Sequence, residues 1–184
     1  MTYSLITITG HLGSGKSTVS KMLSEKLNWS YYSTGMAQRL IAQNRGITTI
    51  ELNRLAINDP SIDHEIDAVF KNPPWGNKPC VVDSRLAWHF LPQSLKVCLL
   101  VDTATAAKRV VSAKGRISEN YSNEAEAENY LKKRCKLEQA HFIKNYNLDI
   151  TNLNQFDLVI DTTNLTPEQV CEKILDTLRT RTPL

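Results

Sequence analysis

Residues 10–17 of this 184-residue chain read Gly-His-Leu-Gly-Ser-Gly-Lys-Ser, and the apolar alternation of residues 5–9 comes directly before them. A complete GxxxxGK[ST] pattern behind a strand is the context expected of a phosphate-binding loop. Gly10, Gly13 and Gly15 permit backbone turns that other residues avoid, so backbone N–H groups can come close to a phosphate chain. A flexible Gly/Ser turn is the alternative, and the pattern with its preceding strand favours phosphate binding.

The residues after the loop predict a helix over 17–27, because its apolar residues recur at helical spacing. The positive end of that helix would then point at the phosphates. Lys16 is expected to bridge the outer phosphates and Ser17 to hold Mg²⁺, with Ser14 and Thr18 among the other nucleotide contacts. The loop therefore predicts a site for ATP and Mg²⁺.

Composition excludes several classes of protein. The net charge is +3 and no block of five or more Lys/Arg occurs, so no nucleic-acid partner is expected. The four cysteines are scattered without metal-ligand spacing, which indicates a reducing compartment, the cytoplasm. The first strand starts near the N-terminus and no run of 18 apolar residues occurs, so neither a leader peptide nor a membrane span is expected.

Strand-like and helix-like segments alternate along the chain, which predicts an α/β fold with a parallel sheet in one domain. Compact apolar runs predict strands at 5–9, 29–32, 79–83, 96–101 and 158–161. Helix start signals stand at Thr48 with Glu51, at Asp59 before Pro60, and at Thr166-Pro167 with Gln169. The segment 36–71 is predicted to be helical, and the Pro- and Gly-rich segment 71–79 to be a loop.

Three features favour a small-molecule kinase among the proteins that share such a loop. No NKxD-type tetrapeptide follows a strand in the second half, and the chain is too short for the extra modules of most motor ATPases. Isolated arginines are spread over several elements at positions 39, 85, 109, 116 and 134. Converging arginines neutralise the charge on both the donor and the acceptor of a γ-phosphoryl group.

The order of several short motifs behind the loop resembles the short, archaeal-type cytidylate kinases. These motifs are Tyr32-Ser33-Thr34-Gly35, Asp59-Pro60-x-Ile62-Asp63, Val82-Asp83-Ser84-Arg85-Leu86 and Leu158-Val159-Ile160-Asp161-Thr162. The resemblance covers nearly the whole chain and implies a single kinase domain over residues 1–184. It implies a P-loop NTPase fold with a five-stranded parallel sheet, a nucleoside-monophosphate (NMP) flap at about 36–71 and a lid at about 112–134. The implied activity is transfer of the γ-phosphoryl group of Mg·ATP to CMP or dCMP.

The same resemblance implies roles for particular residues. Contacts to the acceptor nucleotide are implied for Ser33, Thr34, Gly35, Arg39, Asp83 and Arg85. Asp83 stands at the carboxyl end of a predicted strand, where it can meet Mg²⁺ through water or hold the acceptor. The sequence leaves both roles of Asp83 open. The resemblance implies that Arg109 and Thr162 contact ATP. Arg116 and Arg134, together with Lys16, are expected to stabilise the transferring phosphoryl group.

The chain departs from the family pattern at two positions. His141 stands where relatives usually carry an arginine, and Leu137 where they carry a serine. An arginine lost from a phosphate would remove about 1.5–3 kcal/mol of binding, so weaker activity or a changed acceptor is one expectation. UMP, AMP, an alcohol with Asp83 as base, and a cofactor precursor stay open as acceptors, as does a nucleotide-binding regulatory module. The base reader is open among Asn53, Arg54, Asp59 and Asp63, and the oligomeric state is not determined.

Overall fold

A computed structural model describes residues 3–56, 59–112, 121 and 123–181 of the chain. Its strands are Leu5–Gly10 (β1), Ser30–Ser33 (β2), Cys80–Asp83 (β3), Leu95–Leu100 (β4) and Leu158–Asp161 (β5). Its α-helices are Lys16–Leu27 (α1), Thr34–Asn44 (α2), Thr49–Ala56 (α3), Pro60–Asp67 (α4), Ala87–Phe90 (α5), Thr103–Ser112 (α6), Glu124–Tyr146 (α7) and Pro167–Arg181 (α8). Single 3₁₀ turns occur at Ala68–Phe70 and Leu153–Gln155. The five predicted strands are confirmed to within about one residue at each end.

The strands form one parallel sheet in the order β2-β3-β1-β4-β5. β1 lies at the centre and every residue in it is buried, as its continuous apolar run predicts. The chain passes from β1 to one side of the sheet and later to the other. The carboxyl end of β1 is therefore a topological switch point, where parallel sheets of this kind bind ligands.

Alternation along the strands supplies a core on each face of the sheet. Ile6 and Ile8 pack with Leu23 of α1 and with α8 on one face. On the other face, Val82 packs with Trp75 from the Pro-rich loop. Trp75 is buried and its ring lies 5.1 Å from that of Tyr32, so this loop aromatic anchors against the core.

Helices α2, α3 and α4 share a core of their own, distinct from the two cores at the sheet. Leu52 and Ile62 are fully buried within it. The start signals read from the sequence are confirmed: Thr48 and Glu51 exchange capping hydrogen bonds of 2.7 and 3.1 Å, and Asp59 accepts from the backbone of α4 at 3.0 Å. This helical unit is the segment for which the flap was predicted, and its role as a flap stays a prediction.

The structure describes only part of the segment predicted to be the lid. Its helix α7 packs on α6 through Ala127 and Leu131, both buried. Arg116 lies in the part of this segment that is outside the described residues. Among the helices of the described part of the chain, none combines the length and the apolar content that crossing a bilayer requires.

Candidate active site

The loop after β1 has the geometry of a phosphate cradle. Gly10 has a φ of +135°, and a Cβ there would stand 2.0 Å from the carbonyl oxygen of Leu99 on β4. Gly15, directly before α1, has a φ of +86°, and no atom of the described residues lies within 4 Å of such a Cβ. The side-chain hydroxyl of Ser14 is buried and makes no hydrogen bond to any described residue. Open backbone at Gly15 and an unpaired donor at Ser14 fit a bound phosphate chain.

Lys16 folds back onto the loop. Its Nζ donates to the carbonyl oxygens of Gly10, at 3.1 Å, and His11, at 2.8 Å. Burial, together with the nearby Arg85 guanidinium, lowers the pKa of Lys16 to about 7. Keeping this buried ammonium group charged is unfavourable, and an anion beside it would stabilise the charge. The loop therefore favours a phosphate next to Lys16.

Ser17 and Asp83 form an oxygen pair next to the loop. Ser17 Oγ donates to Asp83 Oδ2 at 2.6 Å, and the Tyr31 hydroxyl lies 3.4 Å from the same oxygen. Asp83 ends β3 and is buried, in register with Ile8 of β1 and Ser33 of β2. Hard oxygen donors are what Mg²⁺ prefers, so a magnesium ion fits Ser17 and Asp83.

Two arginines from different parts of the chain meet beside the same loop. Arg85 donates through Nη1 to the carbonyl oxygen of Gly10 and lies 3.2 Å, through Nη2, from a carboxylate oxygen of Glu138. Arg134 donates through Nε to the other oxygen of that carboxylate at 3.1 Å. The loop carbonyl and Glu138 therefore place Arg85 and Arg134 at the phosphate end of the site.

The residues expected to contact the acceptor lie along one edge of this cluster. Ser33 is the buried last residue of β2, and Thr34 and Gly35 form the first turn of α2. Arg39 is exposed one turn further on. Its Nη1 lies 3.8 Å from where a Cβ on Gly35 would stand.

Arg109 and Thr162 lie together on the other side of the loop. Arg109 donates to the hydroxyl of Thr162 at 3.1 Å and to its carbonyl oxygen at 2.7 Å. The same hydroxyl lies 3.1 Å from the carbonyl oxygen of Ser14. These contacts connect α6 and the end of β5 to the phosphate loop, on the side expected to hold ATP.

The second half of α7 contacts α4, in the segment predicted to be the flap, through polar groups. His141 Nε2 lies 2.8 Å from Asp63 Oδ2 of α4, and Asn145 donates to the same oxygen at 3.1 Å. One turn further along α4, Asp67 accepts from the Tyr146 hydroxyl at 2.6 Å. Burial raises the pKa of Asp67 to about 6. His141, the departure from the family pattern, thus pairs with a carboxylate, whereas Leu137 is exposed.

The structure brings most of the predicted residues together at one end of the sheet. Those around the phosphate loop are Gly10, Gly13, Ser14, Gly15, Lys16, Ser17, Thr18, Asp83, Arg85, Arg109, Arg134 and Thr162. Their catalytic and binding roles stay predictions. Arg116 lies outside the described residues.

Sequence reasoning missed Glu138, whose carboxylate joins the two arginines. The available signal was a helical stripe: at alternating spacings of four and three along α7 stand Ala127, Leu131, Arg134, Glu138, His141 and Asn145. Such spacing puts residues on one face of a helix. This face starts apolar and becomes polar, whereas Glu128 of the same helix forms a surface ion pair with Lys132 at 2.7 Å.

The parallel sheet and the glycine-rich loop opening α1 define a P-loop NTPase fold. A family model described as "AAA domain" matches residues 6–131. The chain is also similar in fold to a shikimate kinase from Acinetobacter baumannii solved with shikimate, at a TM-score of 0.66 and 18% identity over 100% of this chain and 97% of that one.

Sequence relatives narrow the class. A cytidylate kinase from Sulfolobus acidocaldarius is 36% identical over 172 residues, which is 92% of this chain and 91% of the relative. An S-adenosylmethionine-dependent nucleotide dehydratase from Lacinutrix mariniflava is 34% identical over 93% of this chain, but the match spans only 35% of that protein's length. The chain belongs to the short, archaeal-type cytidylate kinase family. The cytidylate kinases among its relatives and the shikimate kinases and gluconokinase among its structural neighbours place it among the ATP-dependent phosphotransferases.

Proposed function

We propose that this protein transfers the γ-phosphoryl group of Mg·ATP to CMP or dCMP. The observation that carries the proposal is the contact of Arg85, which follows acceptor-side strand β3, with the Gly10 carbonyl oxygen of the phosphate loop. An arginine at that position can hold the phosphate of an acceptor directly beside the γ-phosphate of ATP. The cytidylate kinases among the relatives support the choice of acceptor.

The reaction needs no nucleophile from the protein. A phosphate oxygen of the acceptor, already ionised, attacks the γ-phosphorus in line. The bond to the oxygen bridging the β- and γ-phosphates breaks, leaving ADP and a nucleoside diphosphate. Lys16, Arg85 and Arg134 stabilise the charge that spreads over the transferred group, so catalysis is positioning and electrostatics. Bound to Ser17, with Asp83 nearby, Mg²⁺ would neutralise charge on the outer phosphates.

The position of Asp83 supports a phosphate acceptor over an alcohol. An alcohol acceptor would need a general base, and Asp83 is the carboxylate that the sequence offered for that work. Its Oδ2 instead accepts from Ser17 at 2.6 Å and lies 3.4 Å from the Tyr31 hydroxyl. A carboxylate held against Ser17 suits the metal side of the site.

The contacts of Asp63 support an acceptor whose base carries an amino group, such as cytosine, over uracil. Among the flap residues considered as base readers, Asp59 caps α4, whereas Asp63 faces His141 and Asn145 of α7. A carboxylate beside an amide presents an acceptor next to a donor. The edge of cytosine offers the complement, an amino donor next to ring nitrogen and carbonyl acceptors.

The test is ADP release from Mg·ATP with CMP, dCMP, UMP, AMP or GMP as acceptor. We expect preference for CMP or dCMP and negligible ATP hydrolysis without an acceptor. Lys16→Ala should lower turnover by about three orders of magnitude or more with the fold intact, because it removes a cation from the transferring group. Turnover close to wild type in that variant, or silence across the whole panel, would contradict the proposal.

Arg85→Ala separates the two substrates. We expect the KM for the acceptor to rise by about 10- to 150-fold, the equivalent of a charged hydrogen bond of about 1.5–3 kcal/mol. The KM for ATP should change far less. Equal effects on both substrates would place Arg85 on the ATP side instead.

A further inference from the structure

Glu138 connects two arginines that reach the phosphate loop from different elements. Its Oε2 lies 3.2 Å from Nη2 of Arg85, and its Oε1 accepts from Nε of Arg134 at 3.1 Å. Arg85 belongs to the loop after β3, on the acceptor side, whereas Arg134 belongs to α7 and the predicted lid. One carboxylate thus spans the acceptor side and the lid side of the site.

The negative charge of Glu138 offsets repulsion among the cations. Lys16, Arg85 and Arg134 lie close together: the two arginines lower the pKa of Lys16, and all three cations lower the pKa of Glu138. Burial alone would raise the pKa of Glu138, but Arg85 and Arg134, followed by Lys16, hold it below its usual range. Glu138 is therefore ionised at neutral pH and attracts both guanidinium groups to one point.

The helix that carries Glu138 is held in place, and Arg85, which contacts Glu138, has further donors for a phosphate. Glu138 lies two turns beyond Leu131, which is buried against α6, so a docked helix fixes its position. An arginine carries five N–H donors, and the contacts of Arg85 with Gly10 and Glu138 use two of them. The other donors of Arg85 can turn to a phosphate while Glu138 keeps its contact.

We propose that Glu138 is a positioning residue that sets Arg85 and Arg134 at the place where the acceptor phosphate meets the γ-phosphate. This role rests on the proposed function. Glu138 acts through the two arginines, on the acceptor and the transferred group, while ATP is held by the loop itself. Loss of Glu138 therefore lowers kcat and raises the KM for the acceptor, and leaves the KM for ATP nearly unchanged.

Glu138→Gln tests this role because it keeps the shape and removes the charge. We expect kcat to fall about tenfold or more and the acceptor KM to rise about fivefold, with the ATP KM within about twofold. The matched control is Glu128→Gln on the same helix, whose partner Lys132 is a surface group. The control should behave as wild type. A folded Glu138→Gln protein with kcat and acceptor KM within about twofold of wild type would overturn the proposal.

The ratio of the dissociation constants of two nucleotides tests the role of Glu138 without any turnover. ADP reaches the loop, whereas adenosine 5′-tetraphosphate extends beyond the γ position to the arginines. In Glu138→Gln, the ratio of their dissociation constants should shift about fivefold against the tetraphosphate. A ratio that is unchanged, or that shifts towards the tetraphosphate, would mean that Glu138 is only a counter-charge. Wild-type silence with every acceptor contradicts the proposed function instead, and this ratio still decides the role of Glu138.

Glu138→Asp covers the case in which the Gln variant does not fold. It keeps the charge balance but shortens the side chain by one CH₂, so it cannot span both arginines at 3.1 and 3.2 Å. We expect the same ratio to shift about threefold against the tetraphosphate. A wild-type ratio in Glu138→Asp would refute the positioning role.

Discussion

Gly10→Ala and Gly15→Ala should separate a glycine that the fold requires from one that the ligand requires. At Gly10, φ is +135°, and a new Cβ would stand 2.0 Å from Leu99 O and 2.6 Å from Leu99 N. Both are backbone atoms of β4, the strand paired with β1, so neither can rotate away. At Gly15, φ is +86° and the space around a Cβ is open within 4 Å.

The cost at Gly10 adds several effects. A non-glycine residue at such a φ costs about 1–3 kcal/mol, and forcing an atom into packed backbone costs about 1–3 kcal/mol more. Movement of Leu99 would also weaken the 2.8 Å hydrogen bond from His11 N to Leu99 O, worth about 1 kcal/mol. The total of about 3–7 kcal/mol is a large part of the about 5–15 kcal/mol of a typical domain.

Thermal unfolding and ATP binding are the assays. With about 2–4 °C per kcal/mol for a chain of this length, Gly10→Ala should lower the Tm by about 6–28 °C, or prevent folding. Gly15→Ala should cost about 1–2 kcal/mol, stay folded and bind ATP poorly, because its methyl group lies where the phosphates approach. A Gly10→Ala protein as stable as wild type would refute the close approach of β1 to β4 at this point.

Two further predictions concern the ATP side and the flap. Thr162→Val should destabilise the protein by about 1–3 kcal/mol, because Arg109 and the Ser14 carbonyl lose the hydroxyl. It should also raise the KM for ATP more than the KM for the acceptor. Thr162→Ser should restore the stability in an unfolding assay and the KM for ATP in a kinetic assay. Asp67, with a folded-state pKa of about 6 against 3.8, binds its proton more tightly in the folded state. Its contribution to stability is thus full below about pH 4 and is lost as pH rises through about 6. Asp67→Asn should flatten that part of the curve of unfolding free energy against pH, and an unchanged slope would contradict the raised pKa.

Much of the fold was predictable because its signals are local. The glycine spacing of the loop, the apolar runs of the strands and the start signals at Thr48 and Asp59 each depend on a few neighbouring residues. Backbone conformation follows from such residues, so strand positions were confirmed to within about one residue. The order of the strands required the chirality of the connections and the packing of both sheet faces as well.

The candidate site was predictable only in part, for the same reason. Lys16 and Ser17 belong to one local motif, so their place in the glycine-rich loop could be read directly from the chain. Asp83 was found at a strand end, but its contact with Ser17 spans 66 residues of sequence. That contact therefore became visible only in the tertiary structure, and the role of Asp83 stays a prediction.

The sequence by itself determined a parallel α/β chain with a glycine-rich loop between the first strand and the first helix, because short-range backbone preferences and periodic burial encode those features. Only the tertiary structure decided that Glu138 joins Arg85 to Arg134 and that His141 pairs with Asp63 of the flap. Those contacts bring together side chains that are far apart along the chain. Their energies depend on distance and burial, which no local pattern of residues records.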